Sequence, residues 1–87
     1  MLVRTARIGN PVGLHTRTAV RLVQCAEAFR SDVELQRDGF EDRANCKSIL
    51  SLLLLVATKG TILTVRVEGP DEVAAADAIV ALLERDD

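Results

Sequence analysis

The sequence predicts an α+β fold in which a single β-sheet carries its helices on one face. Three patterns carry that expectation. Residues 2–8 (LVRTARI) and 61–67 (TILTVRV) alternate with a period of two, as half-buried strands do. Residues 16–29 (TRTAVRLVQCAEAF) repeat their apolar side chains on a helical period. Asp38-Gly39 is a strong hairpin signal between the two. Packing every helix on one face of one sheet is the economical way to bury all these apolar sides in a single core.

The elements follow in order. In residues 2–8, Ala6 and Ile8 are expected to face inward, and Gly9-Asn10-Pro11 then marks a turn. In residues 16–29, Ala19, Leu22, Val23, Ala26 and Phe29 share one helix face, and Arg17, Arg21 and Gln24 share the other. Residues 32–37 (DVELQR) alternate with Val33 and Leu35 inward, and a short strand over roughly Glu41–Ala44 returns from the Asp38-Gly39 turn. Residues 48–57 (SILSLLLLVA) are apolar almost all round. Their leucine content suggests a short helix, although the pattern alone also allows a strand. Lys59-Gly60 closes that segment, and residues 61–67 place Leu63, Val65 and Val67 on one face. Gly69-Pro70-Asp71-Glu72 opens the last helix, with proline in its first turn and two carboxylates at its positive end. That helix is expected to bury Ala75, Ile79, Leu82 and Leu83, and the acidic end Glu84–Asp87 to fray. The expected order is βαββαβα.

Composition narrows the function. With 87 residues the chain is expected to be one domain, 1–87, with a thin core. Phe29 and Phe40 are its whole aromatic content, which disfavours modules that stack nucleic-acid bases on rings. A formal net charge of −2 gives no basic field to attract a polyanion. Cys25 and Cys46 are too few for a disulfide framework and form no Cys-x-x-Cys pair, so small, reduced, mostly buried side chains are expected. No metal site and no cofactor are expected. Arg4 and Arg7 interrupt any signal-peptide pattern, and the greasiest stretch, Ile49–Ala57, is too short to span a bilayer. The expectation is a cytoplasmic protein with no nucleic-acid or membrane partner.

His15 is the one histidine, and it stands where the first loop meets the first helix. A helix start leaves backbone N–H groups without intrahelical partners and carries partial positive charge, which together suit an anion. The amides of Thr16, Arg17 and Thr18 are expected to turn toward whatever His15 holds. Gly13 removes bulk from the approach, and Arg17 adds planar donors that match phosphate oxygens. A ring nitrogen without a proton is a nucleophile. After attack on a phosphoryl group, the helix end and Arg17 stabilise the anionic product, each by roughly 0.3–2 kcal/mol. No Ser nucleophile or second histidine points to hydrolysis. The plainer alternative is a histidine that only caps a helix or fills a loop.

Gly13-Leu14-His15-Thr16-Arg17 resembles the active-site signature of the histidine-containing phosphocarrier family, HPr, of the bacterial phosphotransferase system. Asn45-Cys46-Lys47-Ser48-Ile49 is similar to that family's segment around a regulatory serine, and the resemblance extends over essentially the whole chain. The resemblance implies an open-faced β-sandwich of four antiparallel strands with three helices on one side. It implies that His15 accepts a phosphoryl group through Nδ1 from phosphorylated enzyme I, with phosphoenolpyruvate as the source. The group then passes to IIA domains of sugar permeases or regulatory relatives, with Arg17 as the phosphate partner. The chain would act as a stoichiometric carrier and not as an enzyme, with no clear oligomer signal and monomer as the default. Thr18 stands where the family usually has proline. It supplies an amide and a hydroxyl that proline lacks.

Ser48 has two compatible roles: a helix cap, and a regulatory phosphorylation site for a serine kinase or phosphorylase. Phosphate there would add about −1.5 to −2 charges at a helix start that tolerates them. An all-round apolar helix must show part of itself to solvent. Leu52 and Leu55 are expected inward, with Ile49, Leu50 and Leu53 at least partly outward. With Val20, Arg21 and Gln24 these would form an apolar docking centre with a basic rim. Two alternatives stay open: a regulatory module acting through docking, and a nitrogen-branch carrier that signals through its phosphorylation state and does not feed sugar uptake.

Overall fold

The computed structural model describes residues 1–85. Strand β1 (Leu2–Arg7) leads into helix α1 (Thr16–Glu27), then strands β2 (Asp32–Arg37) and β3 (Arg43–Asn45), helix α2 (Ile49–Leu54), strand β4 (Ile62–Glu68) and helix α3 (Glu72–Glu84). The strands form a four-stranded sheet in the order β1-β4-β2-β3, and every neighbouring pair is antiparallel. β4 runs up the centre, with Val65 opposite Arg4 on one side and Leu35 on the other. Helix α3 lies across β1, β4 and β2, while α1 packs on both other helices. The opposite face of the sheet, with Val3, is open, so the molecule is a two-layer sandwich with one uncovered side.

The alternation places the core as expected. Ala6, Ile8, Val33, Leu35, Leu63, Val65 and Val67 are all buried under the helices. From α1 come Ala19, Leu22, Val23 and Ala26, and from α2 Leu52, with Leu55 just beyond it. Core packing here is almost wholly aliphatic, so each side chain counts: truncating a buried leucine typically costs about 2–5 kcal/mol.

Several boundaries differ from the sequence expectation. α1 stops at Glu27, and Phe29 is only half-buried because the chain has already turned out of the helix. β3 is displaced to Arg43–Asn45. Gln36 Nε2 donates to the carbonyls of Phe40 and Glu41, which holds residues 38–42 as a loop and delays the return strand. α2 is shorter than residues 48–57. After it, Val56 enters the left-handed region (φ 51°), which a β-branched residue disfavours. Its carbonyl accepts from Arg37 Nη1 at 2.8 Å, which ties this turn to the end of β2. In α3 the buried set is Ala75, Ala76, Ile79 and Leu83, with Leu82 at the margin. Pro70 precedes the helix, whose N-cap is Asp71, so proline does not lie in its first turn. Glu84 does not fray: its carboxylate accepts from the Arg7 amide, and the Leu83 carbonyl accepts from Gly9. Asp86 and Asp87, the rest of the acidic end, lie outside the described residues.

Asp71 makes no side-chain cap on its own helix. Its carboxylate instead accepts from the amides of Arg30 and Ser31 and from the Ser31 hydroxyl. This clip joins the α1–β2 junction to the β4–α3 junction. Ser31 is fully buried, and a Cβ on Gly69 would lie 2.5 Å from its Cα, so only glycine lets the two junctions meet. Hydrogen bonds from the Ser31 side chain and the Arg30 amide hold the Asp71 carboxyl below its ordinary range. A lowered carboxylate stabilises the fold fully above the ordinary value near 3.8, and the contribution is lost as pH falls beneath it through the lowered one. Denaturant unfolding across about pH 6 to pH 2 should therefore show the stability gap between the native chain and Asp71→Ala closing on acidification.

Candidate functional site

His15 is the N-cap of α1, with extended backbone (φ −110°, ψ −179°). Two contacts put it there. Gly13 adopts φ 80° and presses against the turn after α2, where an added Cβ would lie 2.6 Å from the Ala57 carbonyl oxygen. The next amide, Leu14 N–H, donates to that same carbonyl at 2.8 Å, and the Leu14 side chain is buried. The loop is thus pinned to the core one residue before the histidine. The His15 carbonyl then accepts from Ala19 N–H at 2.8 Å, which begins the helix.

The ring caps the helix itself. Nδ1 accepts from the Arg17 amide at 3.3 Å. On the other side Nε2 lies 3.1 Å from Thr18 Oγ1. An amide N–H can only donate, so Nδ1 must carry a lone pair, and the neutral ring must hold its proton on Nε2. His15 is half-buried, and its ring borders a depression of about 500 Å³ lined by Asn10, Pro11, Val12, Arg17, Thr18 and Arg21. That lining contains two arginines and no carboxylate. Arg17 and Arg21 are exposed, and neither guanidinium is paired with a carboxylate of the described residues. This arrangement can hold an anion beside a ring nitrogen that keeps its lone pair.

Of the expected amide donors, Arg17 N–H is the one aimed at the ring. Thr16 is exposed in the first turn, and Thr18 contributes its hydroxyl. Sequence patterns do not reveal the hydroxyl's role, because it depends on the ring rotamer. They also miss Asn10, whose Oδ1 accepts from Val12 N–H at 2.8 Å and whose Nδ2 donates to Thr18 Oγ1 at 3.4 Å. The Gly9-Asn10-Pro11 turn signal was the only sign of it.

Ser48 caps α2, its Oγ accepting from the Ser51 amide at 3.2 Å. Ile49 and Leu50 are exposed, Leu53 is half-buried, and the exposure continues to Leu54 (72%) and Val56 (63%). On α1, Val20 is half-buried, and Arg21 and Gln24 are exposed. Cys25 and Cys46 are free thiols. Burial pushes the Cys46 thiol up to about 12 and raises Cys25 as well, so neither is poised as a thiolate. Among the described residues no helix is long and apolar enough to cross a membrane, and no group of three or more His, Cys, Asp or Glu could hold a metal ion.

Comparison with known proteins bears on the family and the fold. A family model described as the PTS HPr component phosphorylation site matches residues 2–85. The phosphocarrier protein HPr of Treponema pallidum (strain Nichols) is 44% identical over 84 residues, covering 97% of this chain and 93% of the relative. The phosphocarrier protein HPr of Xylella fastidiosa (strain Temecula1) is 39% identical, covering 97% of this chain and 92% of the relative. The crystal structure of HPr-C-His from Thermoanaerobacter tengcongensis superposes with a TM-score of 0.88 at 36% identity, covering 97% of this chain and 92% of that one. Fold and sequence together define a phosphocarrier of the phosphotransferase system. The chain belongs to the HPr family.

Two substitutions test how the site is built. Gly13→Ala should lose about 1–3 kcal/mol from the left-handed backbone alone, with further loss from the clash at Ala57, and should shift the Arg17 amide resonance. Ser48→Ala should cost about 0.5–2 kcal/mol in thermal or denaturant unfolding and leave that resonance in place.

Proposed function

We propose that this chain is a stoichiometric carrier that takes a phosphoryl group on His15 Nδ1 from phosphorylated enzyme I and delivers it to IIA domains. Phosphoenolpyruvate is the ultimate source, and the downstream use is sugar uptake. The observation that carries this reading is the Arg17 amide bonded to Nδ1, which puts the ring's lone pair on that nitrogen, in a histidine that borders the arginine-lined depression.

The transfer balances without a cofactor. The Nδ1 lone pair forms the N–P bond as the donor's bond to phosphorus breaks, and the ring proton stays on Nε2. The phosphorylated ring is then positive beside a phosphoryl dianion. Arg17 and the helix start offset that anion, and the Arg17 amide is free to turn from Nδ1 to a phosphoryl oxygen. Among the described residues no carboxylate lines the site as a general base, and none is needed, because no proton moves in the step.

Partners dock one at a time on Val20, Arg21, Gln24, Ile49, Leu50 and Leu53, an apolar surface with a basic edge. The module acts as one unit over 1–87 and as a monomer in the cytoplasm. Ser48 is a candidate regulatory phosphorylation site for a serine kinase, since a phosphate there would sit at the start of α2 beside this surface. The observation that favours a second reading is Thr18 in place of the usual proline. It is compatible with a nitrogen-branch or regulatory relative in which phosphorylation state or docking is the signal.

Incubation with phosphoenolpyruvate and the host's enzyme I should give one acid-labile phosphate per chain, abolished by His15→Ala. Arg17→Ala should slow the transfer by about tenfold or more, the loss of a charge-assisted contact, and Arg17→Lys should recover it only in part. An unlabelled native chain would overturn the reading. Labelling with loss of the cellular role only in docking-surface variants would favour the regulatory one.

A further inference from the structure

We infer that Thr18 is a positioning residue for the phosphoryl-accepting nitrogen: its hydroxyl holds the Nε2-bound proton of His15 and so keeps the lone pair on Nδ1. The inference rests on the proposed carrier function only for its consequence, since the arrangement itself is a property of the unphosphorylated chain.

A continuous chain of hydrogen bonds sets the direction at the ring. Val12 N–H donates to Asn10 Oδ1, which sets the Asn10 amide with Nδ2 outward. Nδ2 donates to Thr18 Oγ1. On the far side of the ring Arg17 N–H donates to Nδ1. The Nε2–Thr18 contact, 3.1 Å, therefore has one consistent direction, with the ring donating and the hydroxyl accepting. Thr18 Oγ1 uses both its lone pairs, one on Asn10 and one on His15. The ring is clamped from both nitrogens, which fixes its tautomer and its rotation about the Cβ–Cγ bond.

The same contact has a second consequence. When Nδ1 forms its bond to phosphorus, the proton remains on Nε2 and the ring becomes cationic. An oxygen already accepting from Nε2–H then stabilises the charged ring, and it needs no rearrangement. Among the described residues the charged groups that line the site are Arg17 and Arg21, both cations on α1, and no carboxylate lines it to take this role. Proline at this position could not supply the contact.

The test compares the native chain with Thr18→Val, which keeps the shape and removes the hydroxyl, and Thr18→Ser, which restores it. Two-bond ¹H–¹⁵N correlation spectra of the unphosphorylated ring report the tautomer, and solvent exchange of the Nε2 proton reports its bond. The native chain should show the Nε2–H form alone. Thr18→Val should admit the other tautomer and speed proton exchange by about fivefold, the loss of one hydrogen bond, with Thr18→Ser close to native. In transfer from phosphorylated enzyme I, Thr18→Val should lower kcat by a similar factor with KM unchanged. A Thr18→Val ring with native tautomer and native proton exchange would overturn the inference. Native ring behaviour lost in Thr18→Val, together with no labelling of any variant, would support the positioning role and instead overturn the carrier function.

Discussion

The hydrogen bond from the Arg17 amide to His15 Nδ1 is the constraint on which the rest of this molecule depends. It is at once the cap that starts α1 and, in the proposed function, the contact that chooses the reactive nitrogen. A serine or aspartate would cap a helix at least as well, but an imidazole caps with a neutral nitrogen that is itself a nucleophile. The fold serves this bond. Gly13 and Leu14 fix the loop against the Ala57 carbonyl, and α1 is in turn seated on α2 and α3 by its small and aliphatic inner face. The aliphatic core therefore reaches the site through one short, rigid loop.

A carrier has to bind phosphate without keeping it. In the proposed function the surroundings of His15 meet that requirement through many moderate interactions and no dominant one. The helix start and two exposed arginines favour the anion, and water reaches all of them, so each interaction is screened. Proposed partners can compete for the group because the site is a depression at the surface and not an enclosed cavity. The exposed leucines of α2 and the half-buried Val20 give those partners apolar area to bury.

The alternation in 2–8, 32–37 and 61–67 was enough to name the inward side chains, because one sheet face is covered and the period is two. The helix face in α1 was equally legible. The return strand was not, because its start is set by Gln36 bonding to the carbonyls of Phe40 and Glu41, a side-chain choice that no periodicity records. Nor was the role of Asp71, which in the sequence is one of two carboxylates at the positive helix end and which acts as a clip to Arg30 and Ser31 across the molecule. At the site, His15, Gly13 and Arg17 could be named from a short motif. The bond between Thr18 and the ring could not, since it depends on the rotamer that Asn10 and the Arg17 amide impose together.

The most direct measurement of the central claim is the identity of the phosphorylated atom. Phosphorylation of the chain with uniformly ¹⁵N-labelled histidine, followed by ³¹P–¹⁵N coupling measurements, reads the bonded nitrogen without reference to rates or partners. The lone pair left by the Arg17 amide requires the coupling to appear at Nδ1. A phosphate coupled to Nε2, or one attached to any side chain other than His15, would contradict the account.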